Sequence, residues 1–413
     1  MKILLMTDIP PCKNYTAGLV LDQLCRFLPK GSIACFAIVN PHIVDARLSD
    51  DLEWIPVKYY EKPRESWSVF HRKLAFANKF VSLIMETYHE IFTADKITSE
   101  VVRFGHAFGA DLLWCVLQGQ TEIRLALPVA ERLGIPLYTQ VWDPLYFWMD
   151  THIADRISRI RVLNKFEKTL RNCNGFFAAS WAMAEQYHND YGVRAVPFLP
   201  SLDASLAISP AKKIHNGSDL IIGAAGKIYP VEVWNALFKA LDSINWKIGN
   251  RNVKIRILAR DANLIANGKR HFEFLGWRSQ GETVKLLSEA DALYCPYWFD
   301  SYYETVTQLS FPGKLTTYLA AGRPVLFHGP AYASPAKFLK ANNAGFACHS
   351  LDPSQIIGVL SQITSDKDSY AKVAENGRAV FDKYLTTESL RKNFAEFLEV
   401  DESYLRHSEE GKQ

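Results

Sequence analysis

No Cys-x-x-Cys pair occurs in this 413-residue sequence. Its seven cysteines (12, 25, 35, 115, 173, 295 and 348) lie far apart, which excludes zinc-finger spacing and a disulfide framework. They read as reduced core thiols of a cytoplasmic protein. Long apolar runs are also missing. No stretch approaches the roughly 18 apolar residues of a spanning helix. The opening MKILLMTD breaks at Asp8, too early for a signal peptide. The chain is expected to touch a membrane at most, not to cross one. Charge of one sign is scarce as well: the net charge of +3 is too small to make nucleic acid the main partner. Low-complexity segments and repeats of solenoid length are absent.

What is present is ordinary globular material, 48% hydrophobic and 22% charged. The length exceeds one ordinary core, so two domains are expected. Short apolar runs read as buried parallel strands: KILLM, IACFAIVN (33–40), DLLWCVL (111–117), PLYTQVW (136–142) and GFFAAS (175–180). Helical stretches such as GLVLDQLCRFLP (18–29) and EIRLALPVAERLG (122–134) lie between them, the alternation of an α/β domain. A stretch rich in Pro, Ser, Ala and Lys (196–219) reads as a linker with its flanks. The alternation then restarts with LIIGAAGKI (220–228) and continues through VKIRILAR (253–260), FEFLGW (272–277), DALYCPY (291–297) and PVLFHG (324–329). The expected division is 1–200, 201–385, and a terminal helix with tail over 386–413 crossing back toward the first domain. Leu390, Phe394, Phe397 and Leu398 share one face of that helix. Open parallel sheets bind ligands at the carboxyl ends of their strands, and a cleft between the domains is the default site.

The stretch SFPGKLTTYLAAGRPVLFHGP (310–330) is the most informative. Leu315, Tyr318 and Leu319 share a helical face, and Gly322 suits the left-handed residue after a helix end. Lys314 opens that helix, where an anion would sit well. Lys227 follows Gly226 at the end of a strand. Each lysine is either a phosphate ligand or a solvated surface cation. Asp143 directly follows a strand in QVWDPLYFW (140–148), either as a group aimed at a ligand or as the turn that Asp-Pro favours. Tyr15, Thr16 and Gly18 lie on the first strand–helix loop, where Gly18 either admits a ligand to the backbone or simply turns the chain. Residues 57–80 mix Lys58, Lys62, Arg64, Arg72, Lys73 and Lys79 with Tyr59, Tyr60, Trp67, Phe70, Phe76 and Phe80. A basic, aromatic helix here would rest at a lipid interface or pack as an ordinary amphipathic helix.

Four pieces in order, GAAGKI (223–228), FLGW (274–277), EADALYCP (289–296) and FPGKLTTYLAAGRPV (311–325), resemble the nucleotide-binding domain of GT-B glycosyltransferases. The match is to the large group 1 retaining family (family 4-like) and covers residues 220 to 380. GFFAASWAMAEQYHNDYGV (175–193) resembles the end of that family's N-terminal domain. The resemblance implies two Rossmann-like domains facing a cleft, an N-terminal one for the acceptor and a C-terminal one for the donor. Many members carry two glutamates eight positions apart; Leu309 and Thr317 stand there instead. A second lysine after the first basic residue is also missing. A pattern of this kind resembles the glucuronosyltransferases of exopolysaccharide assembly.

The implied activity is glycosyl transfer from a nucleotide sugar, with UDP the expected carrier, to a glycan or polyprenyl-linked acceptor. Lys227 and Lys314 would stabilise the departing diphosphate, so neither metal nor cofactor is expected. Thr317 would donate to a phosphate or ribose oxygen. Gly226, Gly276 and Trp277 would line the nucleotide, and Asp300 and Glu304 would accept from donor-sugar hydroxyls. Asp143 would be the base of an inverting enzyme; a retaining one uses no such base in that way. A non-catalytic GT-B-like binding module stays open as an alternative, as does an epimerase, for which His328 is the main candidate histidine.

Overall fold

The computed structural model describes residues 1–43, 45–65, 75–153, 155–260 and 271–406. The chain divides into two units, Met1–Phe198 with Arg391–Gln413, and Leu199–Leu390.

The first unit is built on β1 (Ile3–Thr7), β2 (Ile33–Val39), β3 (Val57–Glu61), β4 (Leu112–Val116), β5 (Leu137–Val141), β6 (Gly175–Ala178) and β7 (Ala195–Pro197). All pairs are parallel, in the order β3-β2-β1-β4-β5-β6-β7. β1, β4 and β5 are buried at every residue, which is why they appear in the sequence as unbroken apolar runs. The helix Thr387–Leu398 brings Phe394 and Phe397 to this core. Phe397 stacks on Phe177 at 4.7 Å, and Phe394 meets Trp114 at 5.2 Å. All seven cysteines are free.

The second unit contains β8 (Asp219–Ala225), β9 (Lys247–Ile248), β10 (Arg251–Leu258), β11 (Phe272–Phe274), β12 (Ala292–Pro296), β13 (Val325–His328) and β14 (Gly345–Cys348). Its order is β11-β10-β8-β12-β13-β14, with β9 antiparallel on β10. The chain starts mid-sheet at β8, builds outward to β11, and returns to lay β12 on the other side of β8. Strand order reverses between β8 and β12, the position at which open parallel sheets generally seat a ligand. In the first unit the same reversal falls between β1 and β4.

One reading changes. Residues 57–80 are not one helix: Val57–Glu61 is the edge strand β3, and a helix begins at Ala75. Period-two alternation in VKYYE was masked by its charge. Trp67, Phe70, Arg72 and Lys73 lie outside the described residues. The stretch 196–219, read as a linker with its flanks, holds the end of β7, the start of β8 and, between Phe198 and Leu199, the division between the two units.

Asp291, immediately before β12 and only 1% exposed, ties the lower edge of the second sheet together. Oδ1 accepts from His215 N at 2.9 Å and Oδ2 from Ile221 N at 2.9 Å, while Arg251 lies 3.5 Å away. Asp291→Ala would strand buried donors and an arginine together. It is expected to destabilise the protein by about 3–5 kcal/mol in denaturant unfolding. A loss under about 1 kcal/mol, the size of one ordinary hydrogen bond, would show that the network is incidental.

Candidate functional site

β8 is followed by Gly226, whose left-handed φ of 80° turns the chain sharply. Its N–H donates to Leu258 O at 2.9 Å. Lys227 follows, exposed. The helix Gly313–Ala320 is clamped beside this turn. Ala225 N donates to the Tyr318 hydroxyl at 2.8 Å, and Thr316 Oγ1 donates to Pro200 O at 2.7 Å. Leu315, Tyr318 and Leu319 form the buried face. Gly322 closes the helix with φ 66°, and a Cβ there would lie 2.8 Å from Ile208 O, so the passing chain also demands glycine.

This clamp fixes Lys314. Its Nζ donates to Lys227 O at 3.2 Å and sits 4.8 Å from the Tyr229 ring centre. The side chain is half-buried, and loss of solvent pushes its pKa down. Among the described residues no carboxylate pairs with it. A cation held out of water without a counter-ion, at a helix start and beside a glycine turn, is a seat for an anion. Thr317 stands half-buried on the same helix.

Aromatic rings flank the lysine. Tyr229 stacks on Trp298 at 4.7 Å, and Trp298 stacks on Tyr303 at 5.0 Å. Sequence reading passed over Tyr229 and Trp298. Each lies in the loop that follows a strand, Tyr229 after β8 and Trp298 after β12, and that position is the available signal. Asp300 spends its carboxylate on the loop, accepting from Tyr302 N at 2.9 Å. Glu304 is exposed and, among the described residues, accepts only from Gln308 Nε2, at 2.9 Å. Trp277 is 62% exposed past β11, after Gly276 with φ 71°, and the Arg260 guanidinium lies 5.8 Å from its ring centre. Leu309 is buried, so the position of one family glutamate belongs to the core here.

His328 is also a core residue. Its Nε2 donates to Ser350 O at 2.8 Å, so Nδ1 accepts from the Tyr294 hydroxyl at 2.7 Å. Burial pushes its pKa down to about 4 and keeps it neutral. Both nitrogens are occupied, which removes it from sugar chemistry.

In the first unit Asp143 stands between β5 and the helix Leu145–His152. Surrounding protein mass raises its pKa, although the residue keeps contact with solvent. Among the described residues it has no hydrogen-bonding or charged partner. Tyr15 is the residue before the helix Thr16–Arg26, and Thr16 is exposed. Gly18 packs on Cys12: a Cβ there would lie 2.3 Å from Cys12 Sγ, so packing alone accounts for the glycine.

A second polar set, not visible from sequence spacing, lies at this sheet's carboxyl edge. Lys62 Nζ lies 2.9 Å from Glu122 Oε2 and 3.1 Å from Glu65 Oε2. Asp8, just after β1, faces the same charges, and burial raises the pKa of both Asp8 and Glu122. Lys62 is therefore interior, not lipid-facing. Lys58 is engaged too, with Glu100 at 2.6 Å. Among the described residues no His, Cys, Asp or Glu grouping has metal-holding geometry.

The fold is shared with several solved structures. HepE from Anabaena in complex with UDP is 14% identical, with a TM-score of 0.64 over 97% of this chain and 100% of that one. Sucrose-phosphate synthase from Thermosynechococcus elongatus is 11% identical, with a TM-score of 0.64 over 97% and 98%. The alpha,alpha-trehalose 6-phosphate synthase from Burkholderia multivorans is 12% identical, with a TM-score of 0.59 over 96% of each chain. The chain thus carries the two-domain GT-B glycosyltransferase fold that the sequence resemblance implied. Within it, residues 243–392 match the family model described as glucosyltransferase 3-like, C-terminal domain. No curated protein matches the sequence.

Proposed function

We propose that this protein is a metal-independent, retaining glycosyltransferase that moves a sugar from a UDP-linked donor to a hydroxyl of a glycan or lipid-linked glycan in polysaccharide or glycoconjugate assembly. The observation that carries the reading is Lys314, a half-buried cation without a counter-ion beside the Gly226–Lys227 turn. HepE has been solved with UDP and with UDP-glucose, which supports UDP as the carrier.

Breaking the bond between C1 and the diphosphate puts negative charge on the leaving group. Lys314, Lys227 and the N–H groups of the helix start stabilise that charge as it grows. Thr317 donates to a phosphate or ribose oxygen. Trp277, backed by Arg260, offers an open ring face to the base. Glu304 accepts from a sugar hydroxyl. On the acceptor side, Asp143 accepts from the attacking hydroxyl and orients it, with Tyr15 and Thr16 on the loop after β1 of the same sheet. The departing phosphate oxygen then takes the proton. Gly18 contributes packing.

The buried Leu309 in place of a family glutamate favours a second reading, a module that binds UDP-sugar without turning it over. One assay separates them. Purified protein in excess EDTA is expected to release UDP from at least one member of a UDP-sugar panel, because fixed cations do the work of a metal. UDP binding with no release from any donor would establish the module. Activity lost on chelation and restored by Mg²⁺ or Mn²⁺ would contradict the metal-independent scheme.

A further inference from the structure

We propose that the paired helices Ala75–Tyr88 and Arg156–Asn172 of the first unit form a docking face for an anionic lipid bilayer. The helices run side by side in the same direction. Ser82 Oγ donates to Asp155 Oδ2 at 2.6 Å, Arg161 Nη1 donates to Thr87 Oγ1 at 3.0 Å, and Lys165 pairs with Glu90 at 3.2 Å. These links advance together along both helices and leave the outward faces to solvent.

Those faces are apolar. Phe80 is 62% exposed and Phe92 63%, and Ile84, Ile91, Ile157 and Ile160 are exposed with them. Positions 80, 84, 88 and 92 follow the i, i+4 stripe of one helical face. The π-helical turn His89–Thr93 adds a residue to the register and turns Ile91 out beside Phe92. A patch of this kind on a soluble unit marks an interaction surface.

Charge selects the occupant. Lys79 and Arg156 are exposed with no carboxylate partner among the described residues. With Arg159 they line a recess of about 530 Å³ whose apolar wall is Phe80, Leu83 and Ile157. The acidic groups nearby are spent: Glu90 on Lys165, Asp95 on Arg132, and Asp155 on Ser82 and the Ser158 N–H. The face is therefore apolar with a cationic edge. A second copy would set like charges against each other, whereas anionic headgroups neutralise them while the rings enter the interface. No helix among the described residues is long and apolar enough to cross a bilayer, so the contact is peripheral.

The test is vesicle flotation of the full chain with phosphatidylglycerol–phosphatidylcholine and with pure phosphatidylcholine vesicles. Binding is expected to the anionic vesicles only and to fall about tenfold or more between low salt and about 0.5 M salt. K79E/R156E and, separately, F80S/I84S/F92S are each expected to weaken it about tenfold or more, with UDP affinity and circular dichroism unchanged. Three results would overturn the proposal: no flotation at low salt, flotation unchanged in both variants, or self-association through this face in sedimentation velocity without vesicle binding. Each reads independently of whether the protein turns over a UDP-sugar.

Discussion

Lys314→Ala is expected to cut turnover by about 10²–10³-fold, the scale of removing one fixed stabiliser of developing negative charge. The same change should weaken UDP binding by about 1.5–3 kcal/mol, since the ground-state diphosphate uses the same ammonium group. Folding should hold. The side chain's one described hydrogen bond goes to Lys227 O, and the helix is clamped by Tyr318 and Thr316 instead. Removing a half-buried, unpaired cation also relieves a desolvation cost, so thermal stability should stay level or rise. Lys227→Ala should act in the same direction but less strongly, because Lys227 is exposed. Steady-state kinetics with calorimetry checks both, and unchanged UDP affinity in folded Lys314→Ala would refute the phosphate assignment.

Asp143→Asn should leave UDP affinity unchanged and lower turnover by about 10²-fold, the cost of a mispositioned acceptor, with the product's anomeric configuration still that of the donor. Asparagine keeps the size but loses the charge that draws in a hydroxyl proton. The pH profile carries a second signature. Desolvation raises the Asp143 pKa, so the carboxylate is lost at a higher pH than an ordinary aspartate's. Activity that depends on the ionised form should rise through that raised pKa as pH increases, and the acid limb should disappear in the variant. NMR of the product decides the stereochemistry. A loss of about 10³–10⁴-fold with an inverted product would instead make Asp143 the general base. A fully active variant would leave it as a turn residue.

Much of the fold was legible because buried parallel strands carry no alternation. ILLMT, LLWCV and LYTQV stand out as solid apolar blocks. Helix ends were readable where chemistry marks them, as at Gly134 with φ 67° and Gly322 with φ 66°. The misreading at 57–61 has the converse cause. An edge strand has one open side, so charged and aromatic residues alternate there as they would on a helix surface. The placement of Lys227 and Lys314 was legible, one basic residue after a strand-end glycine and the other at a helix start. The Tyr229–Trp298–Tyr303 stack was not, because Tyr229 follows β8 whereas Trp298 and Tyr303 follow β12, and only the sheet order brings those two loops together. Lys62 illustrates the same limit. Local composition placed it on a surface, but its counter-charges Glu122 and Asp8 lie 60 and 54 positions away in the sequence.

The most direct measurement is a parallel calorimetric titration of UDP and of uridine into the wild-type protein. If the carboxyl edge of β8 and β12 holds a nucleoside diphosphate through Lys314, UDP should bind about tenfold or more tightly than uridine, the worth of at least one charge-assisted contact. Equal affinity for the two, or no binding of UDP, would contradict the account.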